Sequence, residues 1–359
     1  MSAIKINISP RVQIPLYIVI LMIVSGYILV IFVRPIEGVH GGLNNYYRSK
    51  FMEMVSGNAY RPYVYRTLLP SSVRFVSLNT PDVLRQYFTT TIKKHVVMND
   101  FFQQFNWETS AAYEYTIAMI LMLISFMGFA HFAAKLTIVS CNIVETLKTR
   151  LLFAIILLLG LPPFFRYTSY PYDPPQLMLF TMSLFLLATS RYRAFFITFC
   201  FCCVNKETAI LLILIFGFTR YKSRSSIQHY WGIFLGLFFC YLGIRSFILY
   251  IYRLNPGSVV EFHLVRNLDM FTRGWNFVDS IILLILAFLI FFRWKGKPEF
   301  LKTSLLLILI PSFVFALFLG YFDEWRSYFE AYPVAFALII YSLIVLRKIV
   351  DQNKQTAEP

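Results

Sequence analysis

Charged residues, and acidic residues above all, are scarce in this sequence. Only 14% of its 359 residues are charged, whereas a soluble domain averages about 25%. Hydrophobic residues make up 58% of the chain, and 33 Lys and Arg against 18 Asp and Glu give a net charge of +15. No basic soluble domain is present that could bind nucleic acid. The composition predicts a polytopic membrane protein whose positive charge suits cytoplasmic anchoring, anionic lipid headgroups or a phosphorylated substrate.

Cysteine is scarce too, which argues against two further classes of protein. The five cysteines all lie in or beside apolar runs: Cys141, Cys200, Cys202, Cys203 and Cys240. Because none lies in the long polar segment after the first apolar run, a disulfide framework is not expected. A zinc site is not expected either, since Cys200, Cys202 and Cys203 have no second cluster and no nearby histidine.

Apolar runs long enough to cross a hydrocarbon core of about 30 Å organise the chain. They predict an all-α protein in which residues 1–359 form one transmembrane domain with about eight spanning helices, the first of them a retained N-terminal helix. The predicted spans are residues 13–33, 113–134, 151–166, 174–190, 229–250, 275–293, 301–321 and 329–347. A large polar segment, residues 34–112, separates the first two.

The stretch from 194 to 218 is an apolar run interrupted by the polar sequence VNKET, which contains Lys206 and Glu207. A charge at the centre of a spanning helix costs roughly 2.5 to 3.5 kcal/mol. Basic residues flank both ends of the stretch, and short cytoplasmic connections are the ones that concentrate Lys and Arg. We therefore predict a re-entrant pair of half-helices and a cytoplasmic N-terminus. The alternative is one ordinary span whose two charges pair with neighbouring helices.

With that hairpin, four polar segments lie outside the membrane on one face: residues 34–112, 166–173, 251–274 and 322–333. The first of these is a large extracytoplasmic loop with nine basic and five acidic residues and many tyrosines. A basic, Tyr-rich loop over a membrane mouth suits a phosphate headgroup, which arginine can bind through two parallel hydrogen bonds. The same composition also fits an amphipathic cap whose side chains merely lie at lipid headgroups.

Four short motifs follow one another along the chain. They are NAYRPYVYRTLLP at 58–70, SYPYDPPQLMLFTMSLFLL at 169–187, RYRAFFITFCFCCVNKETAILL at 191–212 and FDEWRSYFEAYPVAF at 322–336. Together they resemble bacterial polytopic membrane proteins related to the GT-C glycosyltransferases. The resemblance implies an all-helical enzyme of the cytoplasmic (inner) membrane that takes a sugar from a polyprenyl-phosphate donor at the extracytoplasmic face. Its acceptor would be an envelope polysaccharide or a glycolipid.

The resemblance also implies assistance from a divalent metal or from a base in the first loop. Glu37 is the one acid soon after the first helix and is the candidate base, although its position alone favours an interfacial carboxylate paired with Arg34. No DxD-like pair follows that helix, so no cofactor is certain and a divalent metal stays open. Asp173 is the second catalytic candidate, although an Asp before proline is also a common helix-start signal, which predicts that Asp173 is the N-cap of the following helix.

The substrate-binding candidates are charged or aromatic residues predicted to lie at the mouth or at the tip of the hairpin. They are Arg61, Tyr65, Arg66, Arg166, Lys206, Glu207, Arg245, Glu324 and Arg326. Arg61 and Arg66 flank the turn RPYVYR and form a candidate diphosphate clamp, or else they snorkel to the surface. Arg245 lies within a span, where we expect it to meet Asp279 or a lipid phosphate.

Local spacing predicts the ion pairs of the remaining charges. Lys206, which stands where the resembling proteins usually have Arg, is expected to be compensated by Glu207, with Thr208 capping the second half-helix. Arg326 and Glu330 are four residues apart, as in a helical ion pair. That pair is either structural or orients a substrate.

Three functions are compatible with the sequence. The first is a glycosyltransferase that uses a polyprenyl-phosphate-linked sugar. The second is a transporter or flippase of lipid-linked sugars, which a broken helix with charges near the membrane midplane also suits. The third is a non-catalytic membrane subunit of an envelope-assembly complex. Membrane lipids are expected partners in every case.

Overall fold

The protein is all-helical over the residues whose structure is described. In the computed structural model these are residues 10–34, 42–44, 46–165, 169–221, 227–273, 277–322 and 324–357, and no strand occurs in these ranges. The helices are α1 Pro10–Val33, α2 Phe51–Ser56, α3 Leu68–Asn79, α4 Asp82–Lys94, α5 Val96–Gln104, α6 Ala112–Ser140, α7 Leu147–Leu159, α8 Asp173–Ala188, α9 Tyr192–Asn205, α10 Ile210–Tyr221, α11 Ile227–Ile251, α12 Leu264–Arg273, α13 Phe277–Phe291, α14 Glu299–Leu319 and α15 Tyr332–Ala357. The prediction of an all-α fold is confirmed.

Six helical stretches among the described residues are long and apolar enough to cross a membrane. They are Gln13–Val33, Thr109–Ser140, Leu147–Phe165, Tyr230–Ile251, Glu299–Leu319 and Trp325–Asn353. Their outer surfaces keep large apolar side chains exposed, among them Ile23, Tyr27 and Phe247. Such surfaces would be unfavourable in water and are favourable against lipid tails. The chain is therefore a helical membrane protein.

Two of the eight predicted spans coincide with shorter helices. The run 174–190 corresponds to α8, with 16 residues, and the run 275–293 to α13, with 15 residues. At 1.5 Å per residue these helices are roughly 24 and 22 Å long, less than the 30 Å of a typical hydrocarbon core. The count of eight spans stays a prediction.

Helix α6 lies at the centre of the bundle and packs closely against α8. Ala130, Ala133 and Ala134 are fully buried on α6, and a Cβ at Gly128 would lie 2.5 Å from the Met178 sulfur on α8. Small residues at these positions let the two helix backbones approach each other, as in other membrane bundles. The starting point of α8, where Asp173 lies, is thereby fixed relative to the centre of the protein.

The segment between the first two spans is folded rather than extended. It contains α2 to α5, and its aromatic residues pack onto the start of α6: Trp107 stacks on Tyr115 at 4.6 Å, and Phe51 lies 4.8 Å from the same ring. Asn44 donates a hydrogen bond to the Tyr115 hydroxyl at 2.6 Å. This packing anchors the loop, including the stretch that contains Arg66, to the end of the bundle.

The chain reverses direction twice between α8 and α10. Ser190, with φ of +60°, turns the chain between α8 and α9, and extended backbone at Lys206 separates α9 from α10. The Arg220 guanidinium at the end of α10 lies 4.7 Å from the ring of Tyr192 at the start of α9 and donates to the Ser190 hydroxyl at 2.7 Å. In one continuous helix, residues 192 and 220 would be roughly 42 Å apart. The end of α10 therefore lies beside the start of α9, and residues 192–221 do not form one continuous helix.

The tip between α9 and α10 lies beside the start of α8. The Asn205 side chain donates to the Tyr172 carbonyl at 2.9 Å and to Gln176 Oε1 at 3.1 Å. Helix α9 thus runs antiparallel to α8 along nearly its whole length. The VNKET sequence is brought next to Asp173, which precedes it by more than thirty residues.

Lys297, in the connection between α13 and α14, is buried rather than exposed at a cytoplasmic surface. Its ammonium donates to the Leu289 carbonyl at 3.1 Å, the Leu338 carbonyl at 2.8 Å and the Ser342 hydroxyl at 2.7 Å. No carboxylate of the described residues lies within ion-pair distance of it. Burial lowers the pKa of Lys297 from 10.5 to about 8.

This lowered pKa predicts a rise in stability with pH. Between about pH 8 and pH 10 the folded protein loses the Lys297 proton while the unfolded chain keeps it, so the free energy of unfolding increases as pH rises. Thermal unfolding in mild detergent from about pH 7 to about pH 9.5 should show this rise in Tm, and Lys297→Met should abolish it. Lys295→Met, at an exposed neighbouring position, should keep the rise. An unchanged slope in Lys297→Met would show that another group titrates.

Candidate functional site

Eight charged residues from five separate parts of the chain meet at the tip between α9 and α10. This charged cluster consists of Arg66, Asp173, Lys206, Glu207, Arg245, Glu324, Arg326 and Glu330. With four cations and four acids, its formal net charge is zero. The tip residues are unsuited to a continuous apolar helix, and each of them finds its partners in another segment.

The first half of the cluster is an arginine pair bridged by one carboxylate. Glu207 Oε1 lies 2.7 Å from Arg66, and Oε2 lies 3.6 Å from Arg245. Arg245 also donates to the carbonyls of Tyr65, at 3.2 Å, and Cys203, at 3.3 Å. The Glu207 side chain is 44% exposed, whereas those of Arg66 and Arg245 are 12% and 10% exposed. The carboxylate thus lies on the accessible side of two largely buried cations.

Electrostatics keeps both sides of this half charged. Burial alone would lower the pKa of Arg66, but the charge of Glu207, the hydrogen bond to Glu207 and the neighbouring Tyr172 together outweigh burial and raise that pKa well above its ordinary value. The Arg66 guanidinium also donates to the Tyr172 hydroxyl and lies 4.6 Å above the Tyr172 ring. Arg66 is therefore a permanent, well-oriented cation at the base of the first loop.

The second half of the cluster is closed. Lys206 lies 3.3 Å from Glu330 and 3.9 Å from Asp173, whose side chains are 0% and 1% exposed. Thr208 donates to Glu330 at 2.5 Å. Oxygen Oδ1 of Asp173 and Oε2 of Glu330 have no hydrogen-bond partner among the described residues. Lys206 is consequently the cation that compensates Glu330, and it shares the compensation of Asp173 with Arg326.

Arg326 joins this closed half to Glu324. It lies 3.3 Å from Asp173 and 2.5 Å from Glu324. Its guanidinium also covers the ring of Tyr170 at 4.1 Å. A cation held by two acids and an aromatic face is fixed in orientation, which suits a positioning role for Asp173 and the start of α8.

Three tyrosines form a stack from the loop surface to the cluster. Tyr63 and Tyr170 stack at 5.4 Å, and Tyr170 and Tyr172 stack at 5.2 Å. Burial raises the pKa of Tyr170 and of Tyr172, so both hydroxyls stay neutral at ordinary pH. The stack holds the segment before α8 against the first loop.

Several candidates from the sequence are brought together and others are not. Tyr65 contributes its carbonyl to Arg245. Arg61 donates to the backbone carbonyls of Arg253, at 3.3 Å, and Gly257, at 2.5 Å, whereas Arg66 donates to Tyr172 and Glu207. The expected clamp of two arginines across the turn is thus not assembled. Glu37 and Arg166 lie outside the described residues.

The ion pairs predicted from local spacing are wrong at the tip. Lys206 and Glu207 do not compensate each other at ion-pair distance, because extended backbone at Lys206 directs the two side chains to different partners. Thr208 donates to Glu330 instead of capping the second half-helix. Arg245 meets Glu207, whereas the side chain of Asp279 lies outside the described residues.

Two further local predictions are also corrected. Arg326 and Glu330 do not pair with each other, since residues Trp325–Ala331 form a 3₁₀ helix, in which residues four apart are not stacked along one face. Asp173 is not the N-cap of α8. That position is Tyr172, with no side-chain cap, and Asp173 is the first residue of the helix and is occupied with Arg326 and Lys206.

The cluster does not have the form of a metal site. Within the described part of the chain, no group of three His, Cys, Asp or Glu side chains is arranged to hold a metal ion. The unpartnered oxygens of Asp173 and Glu330 would be attractive metal ligands, but the Lys206 ammonium already provides the cation beside them. The residues present at this point fit a lysine rather than a divalent ion.

Two partners of the tip carried weaker signals in the sequence. Gln176 is a polar residue in an apolar run, three positions after Asp173, and it donates to Thr208 at 3.1 Å. The Tyr172 carbonyl accepts a hydrogen bond from Asn205, and the Tyr172 hydroxyl accepts one from Arg66. Gln176 could have been found because a polar residue inside an apolar helix indicates a polar partner on a neighbouring helix.

The chain was compared with protein-family models, with curated proteins and with solved structures, and none of them matches it. The geometry of the cluster is therefore the basis for a functional assignment.

Proposed function

We propose that the protein is a membrane glycosyltransferase that transfers a sugar from a polyprenyl-phosphate donor to an envelope polysaccharide or glycolipid at the extracytoplasmic face. The observation that carries this proposal is the pair of largely buried arginines, Arg66 and Arg245, beneath the folded first loop. A sugar leaving a lipid phosphate deposits negative charge on that phosphate. Two guanidiniums that are already oriented would stabilise this charge in the transition state.

The proposal includes a placement in the membrane. Helices α8 and α13 would bring the number of spans to eight, and α9 and α10 would form the re-entrant pair. Contact between Arg220 and the turn at Ser190 supports this, since it collects the basic residues around Arg191 and Arg193 at one end of the bundle. By the positive-inside rule that end, together with the N-terminus, faces the cytoplasm of a bacterial inner membrane.

The same placement gives the depth of the cluster. Helix α9 has 14 residues and is roughly 21 Å long, so its tip lies in the outer third of a core of about 30 Å. A broken helix at that depth is tolerated where it is buried in protein or lines a wet cavity. The accessible carboxylate of Glu207 faces such a cavity in our proposal, with the first loop above it.

The two halves of the cluster have different roles. Arg66 and Arg245 bind the donor phosphate, while Lys206, Glu330, Asp173 and Arg326 hold the tip against α8 and are positioning residues. Because the side chains of Asp173 and Glu330 are buried and paired with Lys206, we assign both of them to positioning the tip rather than to activating the acceptor hydroxyl. Glu37 stays the predicted base.

A transport function is the second candidate, because a broken helix with charges inside the membrane also occurs at transport sites. Purified protein in liposomes, supplied with a radiolabelled polyprenyl-phosphate sugar and an envelope glycan fraction, separates the two. We expect label to move from lipid to glycan. Label that crosses the bilayer while remaining on the lipid would indicate a flippase. If the label is neither transferred nor moved across the bilayer, both functions are contradicted, and the remaining candidate is a subunit of an envelope-assembly complex.

A further inference from the structure

We infer that Glu207 is an internal counter-ion that the phosphate of a lipid phosphate displaces from Arg66 and Arg245, and that the apolar chain of that lipid lies in the groove between α3 and α9. The choice of a polyprenyl phosphate as this lipid rests on the proposed function. The exchange itself rests on the contacts, exposure and position of the residues involved.

The arginines keep their positions without Glu207. Arg245 is held by two backbone carbonyls, those of Tyr65 and Cys203. Arg66 is held by the hydroxyl and the ring of Tyr172, and its buried Nε has no hydrogen-bond partner among the described residues. An incoming phosphate therefore meets two preformed guanidiniums with hydrogen-bonding capacity left over.

The carboxylate is free to leave. Its side chain is the most exposed of the whole cluster, and the backbone of Glu207 is fixed independently, because the Tyr241 hydroxyl donates to its carbonyl at 3.1 Å. A rotation of the side chain would uncover both cations without moving the tip. Two buried cations with no anion would be costly, so in the empty protein Glu207 supplies the charge that a ligand supplies when bound.

A groove of about 310 Å³, open to the protein surface, is lined by α3 and by Val204 on α9. Thr67 and Val204 line its inner end, where the Thr67 hydroxyl donates to the Val204 carbonyl at 3.3 Å. Thr67 follows Arg66 directly, and Val204 follows Cys203, whose carbonyl binds Arg245. The inner end of the groove is thus next to Arg66 in the chain on one side and next to Cys203, which binds Arg245, on the other.

The outer end of the groove is apolar. Phe75 lines it and is 68% exposed, on a face of α3 where Val76 is exposed as well. The volume is in the range of small-molecule sites and suits the first units of a hydrocarbon chain that continues into the bilayer. A ligand with an anionic head at the arginines and an apolar tail along α3 matches both features at once. A free phosphate would use only the first.

The decisive experiment measures binding of a long-chain polyprenyl monophosphate to the purified full-length protein by native mass spectrometry. If Glu207 competes with the phosphate, Glu207→Gln should bind this lipid at least tenfold more tightly than the unsubstituted protein. It should also have a lower Tm without ligand and a larger rise in Tm with ligand. Glu53→Gln, which removes an exposed carboxylate from the first loop, should change none of these three quantities. Equal or weaker binding by Glu207→Gln would overturn the exchange.

The groove is tested by filling it. Ser71→Trp should weaken binding of the polyprenyl phosphate at least tenfold and leave binding of inorganic phosphate unchanged, whereas Leu78→Trp, on an exposed part of the same helix, should affect neither. Unchanged lipid binding by Ser71→Trp would overturn the groove assignment. Inorganic phosphate or phosphatidylglycerol binding as tightly as the polyprenyl phosphate would overturn the choice of lipid.

Failure of this inference can be distinguished from failure of the proposed function. Sugar transfer without tighter lipid binding by Glu207→Gln would leave the enzyme in place and remove the exchange. Tighter binding without any sugar transfer would leave a lipid-phosphate site in a protein that is not a glycosyltransferase.

Discussion

Replacing Lys206 with methionine is expected to lower the free energy of unfolding by about 3 to 5 kcal/mol. Methionine keeps the length and apolar stem of lysine but removes the charge that lies between Glu330 and Asp173. Asp173 would retain Arg326, whereas Glu330 would keep, among its described partners, only the Thr208 hydroxyl. An uncompensated carboxylate at a fully buried position is among the most destabilising changes a single substitution can make. Thermal unfolding in mild detergent measures the effect.

Three further variants identify the cause of that loss. Lys206→Arg keeps the charge and should be far less destabilising. Lys302→Met removes a lysine whose partner Glu299 is 58% exposed, and should change Tm little. The double variant Lys206→Met with Glu330→Gln should recover part of the loss, because it removes the stranded carboxylate together with its partner. An unchanged Tm in Lys206→Met would contradict the assignment of Lys206 as the compensating cation.

Most of the helices can be predicted from the sequence because an apolar run of twenty residues has few structures available in a membrane. The break at Lys206 is predictable for the same reason, since two charges cannot stay at the centre of an isolated span at low cost. The helices α2 to α5 of the first loop carry shorter and more polar patterns. Their packing depends on the contact between Trp107, at the end of the loop, and Tyr115, at the start of α6.

The partners within the cluster were beyond the reach of local rules. Arg66 and Glu207 are 141 positions apart, and Arg326 and Asp173 are 153 apart, so tertiary packing alone brings them together. Spacing rules choose the nearest opposite charge, Glu207 for Lys206 in our prediction. These rules apply to a regular helix, and they fail at Lys206 because its backbone is extended.

The burial of Lys297 has a similar explanation. Lys and Arg in a short connection between two spans indicate a cytoplasmic surface by statistics, and Lys295 is indeed exposed. Lys297 instead enters the bundle because Ser342 and the Leu338 carbonyl, both on α15, provide acceptors for it. Those acceptors lie 41 and 45 positions later in the chain, and no pattern around Lys297 reveals them.

Replacing Arg66 with lysine is expected to lower kcat/KM for sugar transfer by roughly 100-fold, the loss typical for removal of one preorganised donor to a developing charge. Lysine keeps the positive charge but cannot present two parallel donors, and it loses the flat contact with the Tyr172 ring. The ion pair with Glu207 can persist, so the fold should be retained. Transfer of labelled sugar from a polyprenyl-phosphate donor, measured with purified protein, gives kcat and KM separately.

Arg61→Lys is the matched control, because Arg61 lies in the same RPYVYR turn but donates only to backbone carbonyls of the 253–257 connection among its described contacts. It should change kcat/KM much less than Arg66→Lys does. If Arg66 stabilises the leaving phosphate, the loss should fall mainly on kcat, since charge on the phosphate increases as the bond to the sugar breaks. A loss confined to KM would assign Arg66 to ground-state binding. Equal losses of kcat/KM in the two variants would indicate that both arginines bind the phosphate. That result would contradict the different roles assigned to them from their different hydrogen-bond partners.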